Sequence, residues 1–302
     1  MTKSSNSPVQ YQIAYKVLVF ASLAIAFIQI SLGAFVRSTE SGLGCPDWPL
    51  CHGELIPPFE FHTLIEYSHR LNGSILGIFI VALALSALLK FRNNKSILCL
   101  SLVSLFLVIL AGILGGITVI TELSWWIRLI HLSIALLLIC CITLLAKEIV
   151  FPNRTHMPVV TKEIWKTSGA ILIVFIVIIS GSFMIGIGAN ASCATWPLCR
   201  GSFFPSGYEY LVHMSHRYLA VASLIFLIYT ALSVYKANPL REIRKTGHIV
   251  VGLTGVQILV GAVMVYTGFS PHLKWTHLSL ATLILMSSVF FLAIVHSSEG
   301  PE

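Results

Sequence analysis

Eight apolar runs dominate this chain, and each is long enough to cross a bilayer as a helix. A spanning helix needs about 20 mainly apolar residues. Of the 302 residues, 56% are hydrophobic and only 10% are charged, whereas soluble domains carry about 25% charged residues. The sequence therefore predicts an all-α integral membrane protein with eight transmembrane helices. We place them at roughly 17–36, 66–89, 97–120, 126–146, 166–188, 211–235, 247–268 and 275–296.

One sequence unit occurs twice along the chain. The first copy reads Cys45-Pro46-Asp47-Trp48-Pro49-Leu50-Cys51 and is followed by His69-Arg70. The second copy reads Cys193-Ala194-Thr195-Trp196-Pro197-Leu198-Cys199 and is followed by His216-Arg217. Each copy holds four spans, an even number, so both copies enter the membrane from the same side. This pattern predicts two tandem four-helix bundles, 1–150 and 151–302, in a parallel repeat with a pseudo-twofold axis along the membrane normal.

The basic residues predict the orientation of the chain. With the N-terminus inside, most of the 19 Lys and Arg residues lie on inner segments, as the positive-inside rule requires. We therefore expect a multi-pass protein of a bacterial inner membrane with cytoplasmic N- and C-termini. The net charge of +7 reflects this distribution. It does not indicate nucleic-acid binding, because the chain has neither a Gly-rich phosphate loop nor a basic stripe with interleaved aromatics.

The two Cys-x5-Cys segments fall in the long outer loops, 37–65 and 189–210. The space outside a bacterial membrane is oxidising, so each loop can close as a disulfide. A metal site is less favoured, because neither loop adds a histidine pair at finger-like spacing. Two compatible interpretations stay open. The bridge either staples the loop alone, or it also shapes a cap over a pocket on the outer side.

Four histidines recur in the even-numbered spans, each within about two turns of the outer end of its helix. They are His69, His131, His216 and His277. We expect all four at one depth in the outer leaflet, where polar side chains are costly and tend to be functional. Paired imidazoles between helices are typical of axial haem ligation. Gly115 and Gly261, each 16 residues before a histidine, would make room for the macrocycle.

Basic residues accompany these histidines and are candidate contacts for the haem propionates. Two follow a histidine directly and two precede one by a helical turn, which suits a carboxylate. They are Arg70, Arg217, Arg128 and Lys274. The alternative is that they only extend their charges to the membrane interface.

The two copies differ in their ionisable groups. Glu66 lies one turn before His69, and the second copy has His213 at the matching place. The first copy also has three charged residues that the second lacks, namely Arg37, Glu40 and Asp47. A pocket that performs chemistry needs a proton acceptor, whereas a cofactor pocket needs mainly ligands and a dry wall. We therefore predict the reaction in the first half and a resident haem in the second. A simple salt bridge between Glu66 and Arg70 is the alternative.

The segment 33–53, together with Glu66-Tyr67-Ser68-His69-Arg70, resembles the haem A synthase family. The resemblance covers the whole chain, including both Cys loops and all four histidines. It implies an oxidoreductase that converts the C8 methyl of haem O to a formyl group, giving haem A for terminal oxidases. Two hydroxylations would give a geminal diol that loses water.

The same resemblance assigns roles to individual residues. His69 and His131 would flank the iron of the substrate haem, with Glu66 beside its reacting edge. His216 and His277 would ligate the iron of a haem b cofactor. The resemblance further implies the Cys45–Cys51 and Cys193–Cys199 disulfides, a haem O synthase as upstream partner and a link to cytochrome oxidase assembly.

Paired histidines alone also suit another class of protein. The main rival is a di-haem b-type cytochrome that passes electrons from quinol and makes no new haem, and a haem or metal transporter is a third candidate. Glu66 and the long motif at 33–53 favour the enzyme. The sequence leaves open whether the chain forms a homo-oligomer.

Overall fold

A computed structural model describes residues 8–150 and 161–297 of the chain. Helices occupy nearly all of this part, which contains no β-strand beyond the single bridges Cys51–Glu54 and Cys199–Ser202. The eight α-helices are α1 (Pro8–Ser38), α2 (Phe61–Lys90), α3 (Lys95–Ile120), α4 (Trp125–Val150), α5 (Thr161–Gly186), α6 (Tyr208–Ala237), α7 (Arg241–Tyr266) and α8 (Pro271–Ser297). A short 3-10 helix, Ala189–Ala191, lies in the second outer loop.

All eight helices are long and apolar enough to span a membrane, as the sequence predicted. The helices are longer than the predicted spans at several ends. For example, α2 begins at Phe61 and α7 begins at Arg241, several residues before the apolar runs. Hydropathy detects only the part of a helix that crosses the hydrocarbon, whereas backbone hydrogen bonding continues into the polar region.

The helices of each half pack in the same pattern. Within the first half, α1, α2, α3 and α4 pack consecutively and α1 contacts α4; within the second half, α5 to α8 pack consecutively and α5 contacts α8. The halves meet where α8 packs against α1 and α4, and where α4 packs against α5. The pseudo-twofold axis itself stays a prediction.

The burial pattern suits a protein surrounded by lipid. Large apolar side chains of α3 face outward, such as Phe106 at 63% exposure and Ile109 at 54%. Residues buried between helices include small polar groups whose hydroxyls donate to the carbonyl one turn back, as Ser101 does to Ile97 and Thr143 to Ile139. This arrangement satisfies polar groups without exposing them to hydrocarbon.

The histidine-bearing helices begin at the two long loops or at short turns on the same side of the bundle. His131 and His277 lie in the second turn of α4 and α8, and His69 and His216 lie in the third turn of α2 and α6. The expectation of two turns therefore holds for one pair, and the other pair lies one turn further from its helix start because α2 and α6 begin before the apolar runs. The common depth of the four histidines stays a prediction.

Candidate functional site

One arginine binds the loop between α1 and α2 to α2. Cys45 and Cys51 form a disulfide. The guanidinium of Arg70 donates to the carbonyl oxygens of Cys45 at 2.8 Å, Asp47 at 2.6 Å and Leu50 at 2.8 Å. Charge-assisted bonds to three carbonyls fix the loop over the outer end of the helix.

The loop between α5 and α6 repeats this arrangement. Cys193 and Cys199 form a disulfide. Arg217 donates to the carbonyl oxygens of Cys193 at 3.2 Å, Thr195 at 2.7 Å and Pro197 at 3.1 Å. Both arginines, which the sequence offered as propionate contacts, thus direct most of their donors to loop carbonyls.

Glu66 in the first half and His213 in the second each bond to the arginine four residues later on the same helix. Glu66 is 6% exposed, and its Oε1 accepts from Arg70 Nε at 2.8 Å. His213 Nδ1 donates to the Ala189 carbonyl at 3.2 Å, so its Nε2 accepts from Arg217 at 3.1 Å. Because both ring nitrogens are engaged, His213 is a neutral partner of the loop and is not free to ligate iron.

Each of the four candidate ligands packs its Cε1 atom against a glycine of a neighbouring helix. A Cβ atom built on these glycines would lie 3.4 Å or less from the imidazole. The distances to Cε1 are 3.1 Å for Gly33 and His69, 3.4 Å for Gly115 and His131, 2.9 Å for Gly181 and His216, and 3.2 Å for Gly261 and His277. The sequence indicated Gly115 and Gly261 but missed the other two. Gly33 and Gly181 lie on α1 and α5, whereas the histidines they contact lie on α2 and α6. Spacing along the sequence does not reveal a contact between two helices.

The structure brings the histidines together in two pairs. His216 and His277 line one cavity, and His69 lies near enough to His131 for their charges to interact. Each pair joins the second and fourth helix of one half.

In the second half, the surroundings of His216 fix which ring nitrogen carries the proton. Ser180 Oγ donates to the Val177 carbonyl at 2.8 Å and lies 2.8 Å from His216 Nδ1. When the hydroxyl donates its only proton to the Val177 carbonyl, it accepts from Nδ1–H. Nε2 is then left with a lone pair, which is the form of histidine that binds a metal.

In the first half, an amide takes the corresponding place beside His69. Gln29 Nε2 lies 3.2 Å and 3.4 Å from the two ring nitrogens of His69. Asn72 Nδ2 donates to Gln29 Oε1 at 2.7 Å and to the Ile25 carbonyl at 3.2 Å. The Ile25 carbonyl can only accept, so this chain of bonds orients both amides and directs the Gln29 amide nitrogen at the ring.

Gln29 and Asn72 form a second asymmetry that the sequence interpretation missed. The matching repeat positions hold Val177 and Leu219, which cannot form such a pair. Two amides in the middle of apolar spans were the available signal, because polar groups at this depth are expensive.

A cavity of about 760 Å³ opens in the second half and is lined by His216 and His277. Its volume falls within the range of about 300–1,000 Å³ that is typical of small-molecule and cofactor sites. Apolar side chains such as Ile178 and Phe269 form most of its wall. Four basic residues also line it, namely Arg37, Arg128, Arg217 and Lys274.

The charged residues found only in the first copy do not all gather at its own histidines. Arg37 and Glu40 line the cavity of the second half. Asp47 stays in its loop, where its carboxylate accepts from the backbone N–H groups of Gly53 at 2.8 Å and His52 at 2.6 Å. The bond from Gly53 and, to a smaller extent, that from His52 lower the pKa of Asp47. They indicate that Asp47 stabilises the turn of its own loop.

Replacing Gly181 with alanine tests the glycine contacts. The new Cβ would lie 2.9 Å from His216 Cε1, so the imidazole must shift, and overpacking of this kind costs about 1–3 kcal/mol. We expect any ligand bound by His216 to be held more weakly, as measured by bound haem per protein. Gly252→Ala is the matched control, since nothing lies within 4 Å of that Cβ. Equal ligand content in both variants would contradict the expectation.

The chain is similar to known proteins over most of its length. The family model COX15-CtaA, described as cytochrome oxidase assembly protein, matches residues 16–289. The heme A synthase of Exiguobacterium sibiricum is 30% identical over 263 residues, which cover 84% of this chain and 86% of the relative. The heme A synthases of Macrococcus caseolyticus and Alkalihalophilus pseudofirmus are 27% and 29% identical, and each match covers 93% of this chain and 96% of the relative.

Proposed function

The chain belongs to the COX15-CtaA family of cytochrome oxidase assembly proteins, and on this premise we propose how its two halves divide the work of a haem A synthase. It is a multi-pass membrane oxidoreductase of this type, which converts haem O to haem A. The rival interpretation as a di-haem b-type cytochrome gains no support, since the relatives reported above are heme A synthases.

The substrate, haem O, is proposed to bind in the first half between His69 and His131, with Glu66 beside the methyl that is oxidised. The main support for this proposal is that the first half has Glu66 where the second half has His213, while both halves share the surrounding Cys loop and the arginine. Arg70 binds Oε1 of Glu66, and no described residue bonds its Oε2. A buried carboxylate held by one oxygen can accept a proton with the other. His213 has both nitrogens occupied, so the matching position of the second half offers no such acceptor.

The resident cofactor is proposed to be haem b, held in the second half by His216 and His277. The residues fit it in two respects. Gly181 on α5 and Gly261 on α7 have no side chain, so the imidazoles of His216 and His277 can lie against these two helices. Ser180 bonds to Nδ1 of His216, which leaves Nε2 free to ligate iron. When bound, the haem would supply one-electron transfer. The protein's part is to orient the ring, as Ser180 does for His216, and to keep water out with an apolar wall.

Gln29 is proposed to orient the imidazole of His69 before the substrate binds. Its amide nitrogen, held by Asn72, donates to one ring nitrogen of His69, and ligation of the substrate iron would replace that bond. Gln29→Val copies the residue of the second half and should lower haem A formation about tenfold, the scale of outer-shell changes at metal ligands. The content of haem b should not change. Gln12→Val, at an exposed site of the same helix, is the control. Loss of haem b in Gln29→Val would contradict this assignment to the first half.

The remaining proposals concern the cell. We place the N- and C-termini in the cytoplasm of a bacterium, since most basic residues lie on the N-terminal segment and on the connecting loops of that same side. A haem O synthase must supply the substrate and is the proposed upstream partner, and the oxidase receives the product. Residues 1–150 would form the substrate half and 151–302 the cofactor half.

Expression in cells that make haem O tests the function as a whole. Extracted haems should include haem A, separated by chromatography and identified by mass. Haem A no higher than in cells with an empty vector would overturn the enzyme assignment. A haem b spectrum without haem A would favour the cytochrome instead.

A further inference from the structure

Two arginines of the first half reach the cavity of the second half. Arg37 lies at the end of α1 and Arg128 in the first turn of α4, and both line the cavity beside His216 and His277. Arg37 Nη1 donates to Ser182 Oγ of α5 at 3.1 Å, a bond that joins the halves. The repeat position of Arg37 in the second half holds Ile185, which carries no charge. The repeat position of Arg128 holds Lys274, which lines the same cavity as Arg128 itself.

Among the described residues, no ion pair neutralises the cationic wall of this cavity. The ion pairs among the described residues are Arg70–Glu66, Lys147–Glu148 and Lys166–Glu163. None of them involves Arg37 or Arg128, and within the described residues the guanidinium of Arg128 has no hydrogen-bond acceptor. Glu40 is the only carboxylate among the described residues that line the cavity, and it is exposed.

Such an arrangement is unfavourable without an anion. Arg37 and Arg128 are partly buried and lie near enough to repel each other. Cations withdrawn from water are costly unless they are paired, and an arginine fork binds a carboxylate through two parallel bonds. The two guanidinium groups therefore require an anionic ligand, and two carboxylates would satisfy both.

We propose that Arg37 and Arg128 bind the two carboxylates of the ligand held by His216 and His277, so that the first half completes the cofactor site of the second. The inference rests on the proposed function, in which this ligand is haem b with its propionates. Arg217 is less suited to the task, because its donors serve the loop carbonyls of Cys193 and Thr195.

Arg128 would link the cofactor site to the substrate site through α4. Arg128 lies one turn before His131, the candidate ligand of the substrate haem, on the same helix. A carboxylate of the cofactor and the iron of the substrate would then contact neighbouring turns of α4. This places the edge of the cofactor toward the substrate half.

The test uses the purified holoprotein of Arg37→Gln, Arg128→Gln and the double variant. The rate at which haem b passes to excess apomyoglobin should rise about 10- to 100-fold in each single variant, the scale of a lost hydrogen bond to a charged group. The midpoint potential of the haem should become more negative, because removing a nearby cation disfavours the reduced form. Arg37→Lys and Arg128→Lys should restore most of the potential, and Arg92→Gln, at an exposed loop site, should match the parent protein.

The possible results separate this inference from the proposed function. If His216→Ala abolishes haem b binding while both glutamine variants keep the parent's rate of loss and potential, only the role of the arginines is wrong. If the glutamine variants lose haem A formation but retain haem b and its potential, the arginines serve the substrate and the proposal is overturned. If His216→Ala and His277→Ala both retain the haem, the assignment of the cofactor itself fails.

Discussion

Glu66→Gln is expected to stop the conversion of haem O while the protein keeps its haem b. The amide can still accept from Arg70 at the place of Oε1, which lies 2.8 Å from Nε, so the loop anchored by Arg70 should stay in place. It cannot take up a proton. Loss of a general base lowers rates about 10²- to 10⁴-fold, so haem A should fall to near the background of the assay.

The measurement is haem A per unit of protein, with the haem b spectrum recorded on the same sample. Glu60→Gln is the control, an exposed carboxylate just before α2, and should leave both readouts unchanged. Turnover near that of the parent protein in Glu66→Gln would reduce Glu66 to a salt-bridge partner of Arg70. If Glu66→Gln also lost haem b, the variant would be misfolded. Arg70→Lys keeps the carboxylate but weakens the bonds to the loop, so it shows separately what a disturbed loop does to haem b.

His216→Ala is expected to remove the low-spin haem b spectrum, since it deletes one axial ligand from the cavity of the second half. His69→Ala, which removes the matching histidine of the first half, should keep that spectrum and lose conversion. The two variants delete the same side chain from matched turns of α6 and α2. Their opposite effects on haem b would therefore report the division between the halves and not a general response to losing a buried histidine.

Ser180→Ala offers a graded version of the same test. It leaves His216 in place but removes the acceptor of its Nδ1–H, a bond of 2.8 Å. Outer-shell partners of this kind contribute about 10- to 100-fold to metal affinity or activity, so the variant should lose haem b faster without losing it outright. His248→Ala, at an exposed site of α7, is the control. A spectrum that survives in both His216→Ala and His277→Ala would contradict the proposed cofactor site.

The arginines illustrate how far sequence interpretation reached into the site. Position next to a histidine made Arg70 and Arg217 candidates for propionates, yet their guanidinium groups bond to the loops. Spacing along a helix tells which residues share a face, but it does not tell which acceptors a folded loop brings within reach. The sequence interpretation placed Arg37 in the first-half reaction site only because the second copy lacks a charged residue at the matching position. It had no information on which side chains surround Arg37 in the folded protein.

The sequence by itself determined the eight spans, the duplicated Cys loops, the four histidines and the exchange of Glu66 for His213. These features depend on local hydropathy and on comparison of the two copies, both of which are properties of the linear chain. Only the tertiary structure decided that Arg37 and Arg128 line the cavity of the other half, that Gln29 faces His69 and that His213 is engaged at both nitrogens. These contacts arise because α8 packs between α1, α4 and α5 and because α1 lies beside α2. No spacing rule encodes such contacts, since they join residues far apart in the chain through the packing of whole helices.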